Sequence, residues 1–152
     1  MNKWITDDVR NYLRRSVLCW LATADSDGAP NVSPKEVFLP YGRDQIIIAN
    51  IASPKSVSNI RKNAQVCVSF VCILSQKGYQ LKGLARLSKH GDEEFDSMKS
   101  KLETITRGDY PFSEVVVVDV NQVKPITAPG YHIFPDKTEA QMIEEARHSY
   151  QL

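Results

Sequence analysis

Six short runs of apolar or alternating residues, mostly joined by turns, constrain this chain more than any other feature. They are VLCWLATA, NVSPKEVFLP, QIIIAN, QVCVSFVCI, GYQLKGLARLSK and EVVVVDVNQVKPI. Antiparallel neighbours need only a short turn between them, whereas parallel neighbours need a crossover of a dozen or more residues. Asp27-Gly28 is a pair that hairpin turns favour, and YGRD turns the chain into QIIIAN. Three consecutive isoleucines fit a strand buried on both faces. In GYQLKGLARLSK, Tyr79, Leu81, Gly83, Ala85 and Leu87 share one face, and Gly83 marks a place where a sheet bends. Pro34 cannot donate to a ladder, so the run NVSPKEVFLP belongs at an edge or carries a bulge.

Helical patterns lie around and between these runs. Thr6 is an N-cap, with acids in the first turn after it and arginines in the last, and Val9, Tyr12, Leu13 and Val17 recur at helical spacing. Val57 and Ile60 give a short helix after QIIIAN one apolar face. GDEEFDSMKSKLETI and DKTEAQMIEEARHSY are helical by pattern, with DEEFD as a solvated start. The order α-β-β-β-α-β-β-α-β-α predicts a mainly β protein: a six-stranded antiparallel sheet closed into a small barrel, with helices over its ends. At 152 residues this is the size of one ordinary domain, so residues 1–152 are expected to form one.

Charge and composition exclude several classes of function. A net charge of +1 gives no bulk attraction to nucleic acid or an acidic membrane. No apolar run approaches the ~20 residues of a membrane span. MNKWITDDVR carries acids and has no apolar signal core, so a cytoplasmic location is expected. Cys19, Cys67 and Cys72 form no CxxC pair and fit buried fillers in a reducing compartment. His90, His132 and His148 are scattered without metal-ligand spacing, so no metal site is expected. There is no GxSxG elbow and no GxGxxG loop. Trp4 and Trp20 read as packing residues, since no basic-aromatic interleaving surrounds them.

The corner IANIASPKS is the segment that points to chemistry. Ser53 suits an N-cap and Pro54 the first helical position. Lys55 and Ser56 then fall in the first turn, where backbone N–H groups lack partners and the helix dipole is positive. A lysine there adds a cation that capping does not require. Backbone donors, an ammonium and hydroxyls together suit a phosphate. A plain Ser-Pro cap with a solvated lysine fits the same residues.

Residues 18 to 87 resemble the flavin mononucleotide (FMN)-binding split-barrel family named for pyridoxamine 5′-phosphate oxidase. The resemblance lies in LATADSDGAPNVSP, IIIANIASPKSVSNIRKNAQVCVSF and YQLKGLARL, in that order. Lys55, Ser56, Asn59, Ile60 and Val66 meet the family's pattern after its flavin-lining strand, and Gly83, Ala85 and Leu87 meet its next barrel strand. Pro54 stands where many members carry a basic residue. The resemblance implies a split barrel with FMN phosphate on Lys55 and Ser56 and with Ser53 nearby. Ala49 and Asn50 would run along the flavin, and Ser33, Pro34 and Lys35 would line it from a second strand. Lys35 would supply positive charge near the ring. It also implies a homodimer with the cofactor between subunits, and a flavin-dependent oxidoreductase acting on a small-molecule substrate. Catalytic residues are not identified.

Members that oxidise pyridoxamine phosphate carry an Arg-x-His-type motif near the C-terminus. Here Arg147 and His148 are adjacent, so that activity is not expected. Other readings of the same barrel are a deazaflavin or haem binder, or a cofactor-free regulatory dimer. No histidine falls in the matched region to ligate a haem. The segment APGYHIFP, residues 128–135, suits either a cover over the cofactor mouth or an anchor for the last helix.

Overall fold

The computed structural model describes residues 4–152. Its strands form a single antiparallel sheet in the order β2-β1-β5-β6-β7-β4-β3, so the architecture is mainly β with flanking helices, as expected. In chain order the elements are α1 (Asp7–Arg15), β1 (Cys19–Ala24), β2 (Pro30–Lys35), β3 (Phe38–Tyr41), β4 (Gln45–Ala49) and α2 (Pro54–Lys62). Then follow β5 (Gln65–Cys72), β6 (Lys77–Lys89), α3 (Phe95–Thr106), β7 (Glu114–Thr127), α4 (Gly130–Ile133) and α5 (Glu139–Tyr150).

The strand count is seven, not six, among the described residues. The run NVSPKEVFLP breaks at residues 36–37: β2 pairs with β1, whereas β3 pairs with β4 at the opposite edge. Pro34 therefore lies on an edge strand, where its missing N–H costs no ladder bond. The break also shapes the sheet. Lys35 ends one edge and Phe38 begins the other, and three residue steps span at most roughly 11 Å. The two edges must meet there, so the sheet curls into a barrel split at residues 36–37. Ala49 N–H donates to the Val37 carbonyl at 3.0 Å, which carries the β3–β4 pairing one step back to the break.

Two apolar clusters hold the barrel. Ile46 and Ile48 of β4 face the interior with Leu21, Val68, Phe70 and Leu81, and Val9 and Leu13 of α1 close over that core. Ile47 points the other way, into a second cluster with Phe95, Met98 and Leu102 of α3. The three isoleucines are thus buried on both faces, and so are the valines of β7 (Val116 and Val118 inward, Val115 and Val117 toward α3). The expectation that helices only cover barrel ends is corrected by α3, which covers the outer face of β4 and β7.

Local signals mostly act as their chemistry dictates. Thr6 Oγ1 accepts from Val9 N–H at 3.3 Å. Val17 does not continue the helical stripe: α1 ends at Arg15 and Val17 is 77% exposed. Gly83 sits at a register shift between β6 and β7. The segment at 128–135 includes α4 and anchors the C-terminal part, because Tyr131 OH donates to the Ser75 carbonyl at 2.5 Å. Glu139 of α5 pairs with Lys77 at 3.2 Å and with Arg15 at 3.5 Å. No helix among the described residues is long and apolar enough to cross a membrane.

Candidate functional site

Three chain ends meet at the barrel seam: the end of β2, the end of β4 and the start of α2. They bring together residues 18 and 23 positions apart in sequence. Ser33 Oγ and Ser56 Oγ lie 3.0 Å apart, in hydrogen-bond contact. Lys35, two residues on along the same strand face, donates from Nζ to Ser53 Oγ. Ser53 Oγ in turn donates to the Ile51 carbonyl at 3.3 Å.

Ser53 occupies the N-cap position, but its side chain does not cap α2. The expected cap is corrected here, because the hydroxyl is turned to Lys35 and Ile51 instead. The first turn of α2, with Lys55 and Ser56, keeps its N–H groups without a side-chain cap. Ser56 is 2% exposed, whereas the Lys55 side chain is open to solvent. Across from it, the Ala29 N–H foremost, with Lys55 as a lesser contributor, holds the Asp25 carboxyl below its ordinary range. Just before the cap, Ala52 has φ +51°, a left-handed conformation that costs a non-glycine residue roughly 1–2 kcal/mol. Such strain is characteristic of binding corners.

Ala49 is buried at the end of β4. Asn50 donates from its backbone to the Glu114 carbonyl at 3.0 Å and from Nδ2 to Glu114 Oε1 at 3.4 Å. Its Oδ1 is buried with no partner. A buried acceptor left unmade costs about 1–3 kcal/mol, so this atom is suited to a ligand donor.

A cavity of about 440 Å³ opens beside the corner. Pro34, Lys35, Ala49 and Ile51 line it from the barrel, and Ile105 and Tyr110 from the end of α3 and the loop after it. Lys35 is only 6% exposed. Burial pushes its ammonium below the ordinary lysine range, with nearby Cys19 opposing in part. Cys19 is its partner across the β1–β2 ladder, and burial pushes that thiol up to about 12. Such a thiol is inert at neutral pH.

Ser33, Pro34, Lys35, Ala49, Asn50, Ser53, Lys55 and Ser56 all lie around this corner or cavity. Asn59, part of the matched sequence pattern, is spoken for elsewhere: its Nδ2 donates to Thr23 Oγ1 at 3.0 Å inside the fold. It clamps α2 to β1. The sequence reading missed the α3 side of the cavity, and no local pattern singles out Ile105 or Tyr110, because their place depends on how α3 packs. No cluster of potential metal ligands occurs among the described residues.

The family described as pyridoxamine 5′-phosphate oxidase matches residues 5–127. No curated protein matches the sequence significantly. Among solved structures, HupZ of Group A Streptococcus is similar at TM-score 0.69 and 20% identity, covering 82% of this chain and 95% of its own. An FMN-binding protein of Syntrophomonas wolfei is similar at TM-score 0.65 and 20% identity, covering 79% and 84% respectively. A protein described as an F420 reductase is similar at TM-score 0.59 and 19% identity, covering 78% and 98%. At these identities the structures share the split-barrel fold.

Proposed function

The chain belongs to the pyridoxamine 5′-phosphate oxidase family, and from that premise we propose that it is an FMN-binding oxidoreductase. The observation that carries the reading is the uncapped start of α2, ringed by Ser33, Ser53, Ser56 and Lys55.

The residues present fit the cofactor. Lys55 and the free N–H groups of α2 would hold the phosphate, with the Ser33 and Ser56 hydroxyls completing its contacts. Pro34 and Ala49 would supply an apolar surface for the ring. Asn50 Oδ1 would accept a ligand N–H or O–H and so satisfy its orphaned lone pairs. Lys35, charged and enclosed, would place positive potential in the cavity wall, where water screens it little. Bound FMN would supply the electron-transfer chemistry, and the protein its position and electrostatics. In this reading the protein acts as a cytoplasmic homodimer with a site at each seam, since one barrel leaves the cavity open on one side.

A deazaflavin is the second reading, since it also carries phosphate and the fold is shared with an F420 reductase. The visible spectrum of purified protein distinguishes flavin, deazaflavin, haem and no chromophore.

The direct test is titration with FMN and riboflavin. Lys55→Ala removes a charge-assisted contact of about 1.5–3 kcal/mol, so FMN affinity should fall roughly 10- to 100-fold. Riboflavin, which lacks the phosphate, should bind both proteins alike. Equal FMN dissociation constants for wild type and variant would remove the phosphate assignment.

A further inference from the structure

We infer that the cavity beyond Lys35 is the subsite for the flavin's redox partner, and that it takes a compact, largely apolar organic acid whose carboxylate pairs with Lys35. The inference rests on the flavin reading above and goes further, by naming the class of substrate.

Lys35 is a buried cation whose hydrogen-bond partner is a neutral hydroxyl, Ser53 Oγ. No carboxylate lies within ion-pair distance of it among the described residues. Glu36 also stands on the cavity wall, but it is exposed to solvent and makes no ion pair with Lys35. A buried charge without a counter-charge is costly, and its environment favours any ligand that brings one. Burial holds the Lys35 ammonium below the ordinary lysine range, and a bound carboxylate would reverse that.

The rest of the wall fixes the ligand's shape. Leu18, Val37, Ile51 and Ile105 are apolar. The Thr106 hydroxyl is committed to its own helix end, donating to the Glu103 carbonyl at 3.5 Å and accepting from Gly108 N–H at 3.3 Å. One enclosed cation without a counter-charge in a largely apolar cavity orients a ligand with its charged end inward. Its apolar body then lies toward Ile105 and Tyr110, which are 40% and 61% exposed at the mouth. The cofactor phosphate has separate donors at Lys55 and Ser56, so Lys35 is left for a second anion.

Benzoate and benzamide have the same shape and differ in charge, which makes them the probes. Both are titrated calorimetrically into the full chain in the presence of saturating FMN. Benzoate should bind at least roughly tenfold more tightly than benzamide, as expected for one charge-assisted contact. Lys35→Met should abolish the preference and Lys35→Arg should keep it. The readout is the ratio of the two ligands on each variant, so a general loss of affinity does not mimic the result. Absent benzoate binding, equal binding of the two, a preference that survives Lys35→Met, or strict competition between benzoate and FMN would each overturn the inference. If FMN fails to bind while the preference and its loss in Lys35→Met both hold, the anion subsite stands and the flavin reading falls.

Discussion

Lys35 is the one charged side chain among the buried residues described. It comes from an edge strand, crosses the barrel seam and ends beside Ser53, so the fold encloses a charge that an edge strand would ordinarily leave in water. The consequence for stability has a definite sign. Burial lowers the pKa of Lys35 in the folded chain, with Cys19 opposing in part, whereas the unfolded chain keeps the ordinary value near ~10.4. Below the folded pKa both states are charged and the full cost of burial stands. Between the two values the unfolded chain binds more protons, so the Lys35 contribution becomes more favourable to folding as pH rises. Lys35→Met should therefore melt at a higher temperature than wild type at neutral pH, without ligand. Its advantage should shrink as pH approaches ~10. Thermal melts of both proteins from pH 7 upward check this, and an advantage that stayed constant or grew would contradict it. Asn59 carries a different lesson. It matches a family pattern beside the Ser-Pro-Lys-Ser corner, yet its side chain clamps α2 to Thr23 of β1.

At the scale of elements, α2 and the β6–β7 pair set the geometry. α2 is short and amphipathic, with Val57 and Ile60 buried, and its first turn lies open because Ser53 is engaged elsewhere. The long β6 and β7 pair along their whole length and shift register between Lys82 and Gly83. At that bulge the Asp119 carbonyl comes so close that a Cβ on Gly83 would stand 2.1 Å from its oxygen. Both are strand backbone, so neither can yield cheaply. Gly83→Ala should destabilise the fold by roughly 3 kcal/mol. Urea unfolding would show this as a lower midpoint at unchanged m-value. A change below about 0.5 kcal/mol would mean that the sheet relaxes there at little cost.

For the whole molecule, the decisive fact is that both edges of the sheet come from one continuous stretch of chain. Closing them produces the seam, and the seam produces the cavity. The outer surface of β1, β2 and β6 leaves Trp20, Val32 and Leu84 exposed at 46%, 56% and 44%. The proposed homodimer would cover it. Sedimentation at micromolar concentration should give about 34 kDa, twice the 17.1 kDa chain, and Trp20→Glu should shift the protein toward monomer. A monomeric wild type that holds FMN tightly would rule out an obligate interface. Substrate choice also belongs to this scale. α5 carries Arg147 and His148, but it is fastened to Arg15 and Lys77, and no residue of it lines the cavity. Pyridoxamine phosphate mixed anaerobically with the FMN-loaded protein should therefore leave the flavin colour unchanged over an hour. Bleaching on the order of 1 s⁻¹ would show that this chain grips that substrate by another route.

Much of this was legible in the residues alone. The strand-like runs, the Thr6 cap, the doubly buried isoleucines and the bend at Gly83 follow from periodicity and from the stereochemistry of single residues, which act over a few positions. The contiguous run SPKS at the start of α2 was legible for the same reason, and its proposed role toward a phosphate rests on the titration above. The break at residues 36–37 was not, because the chain bends there without a glycine, proline or Asx residue to announce it, and the change of partner strand is what separates β2 from β3. Nor was the turning of Ser53 away from its helix, which needs a lysine eighteen residues earlier to arrive beside it. The cavity wall at Ile105 and Tyr110 depends on where α3 packs. Short-range chemistry determined the elements; closure of the sheet decided which of their side chains face one another, because contacts across a seam are made by parts of the chain that carry no record of each other.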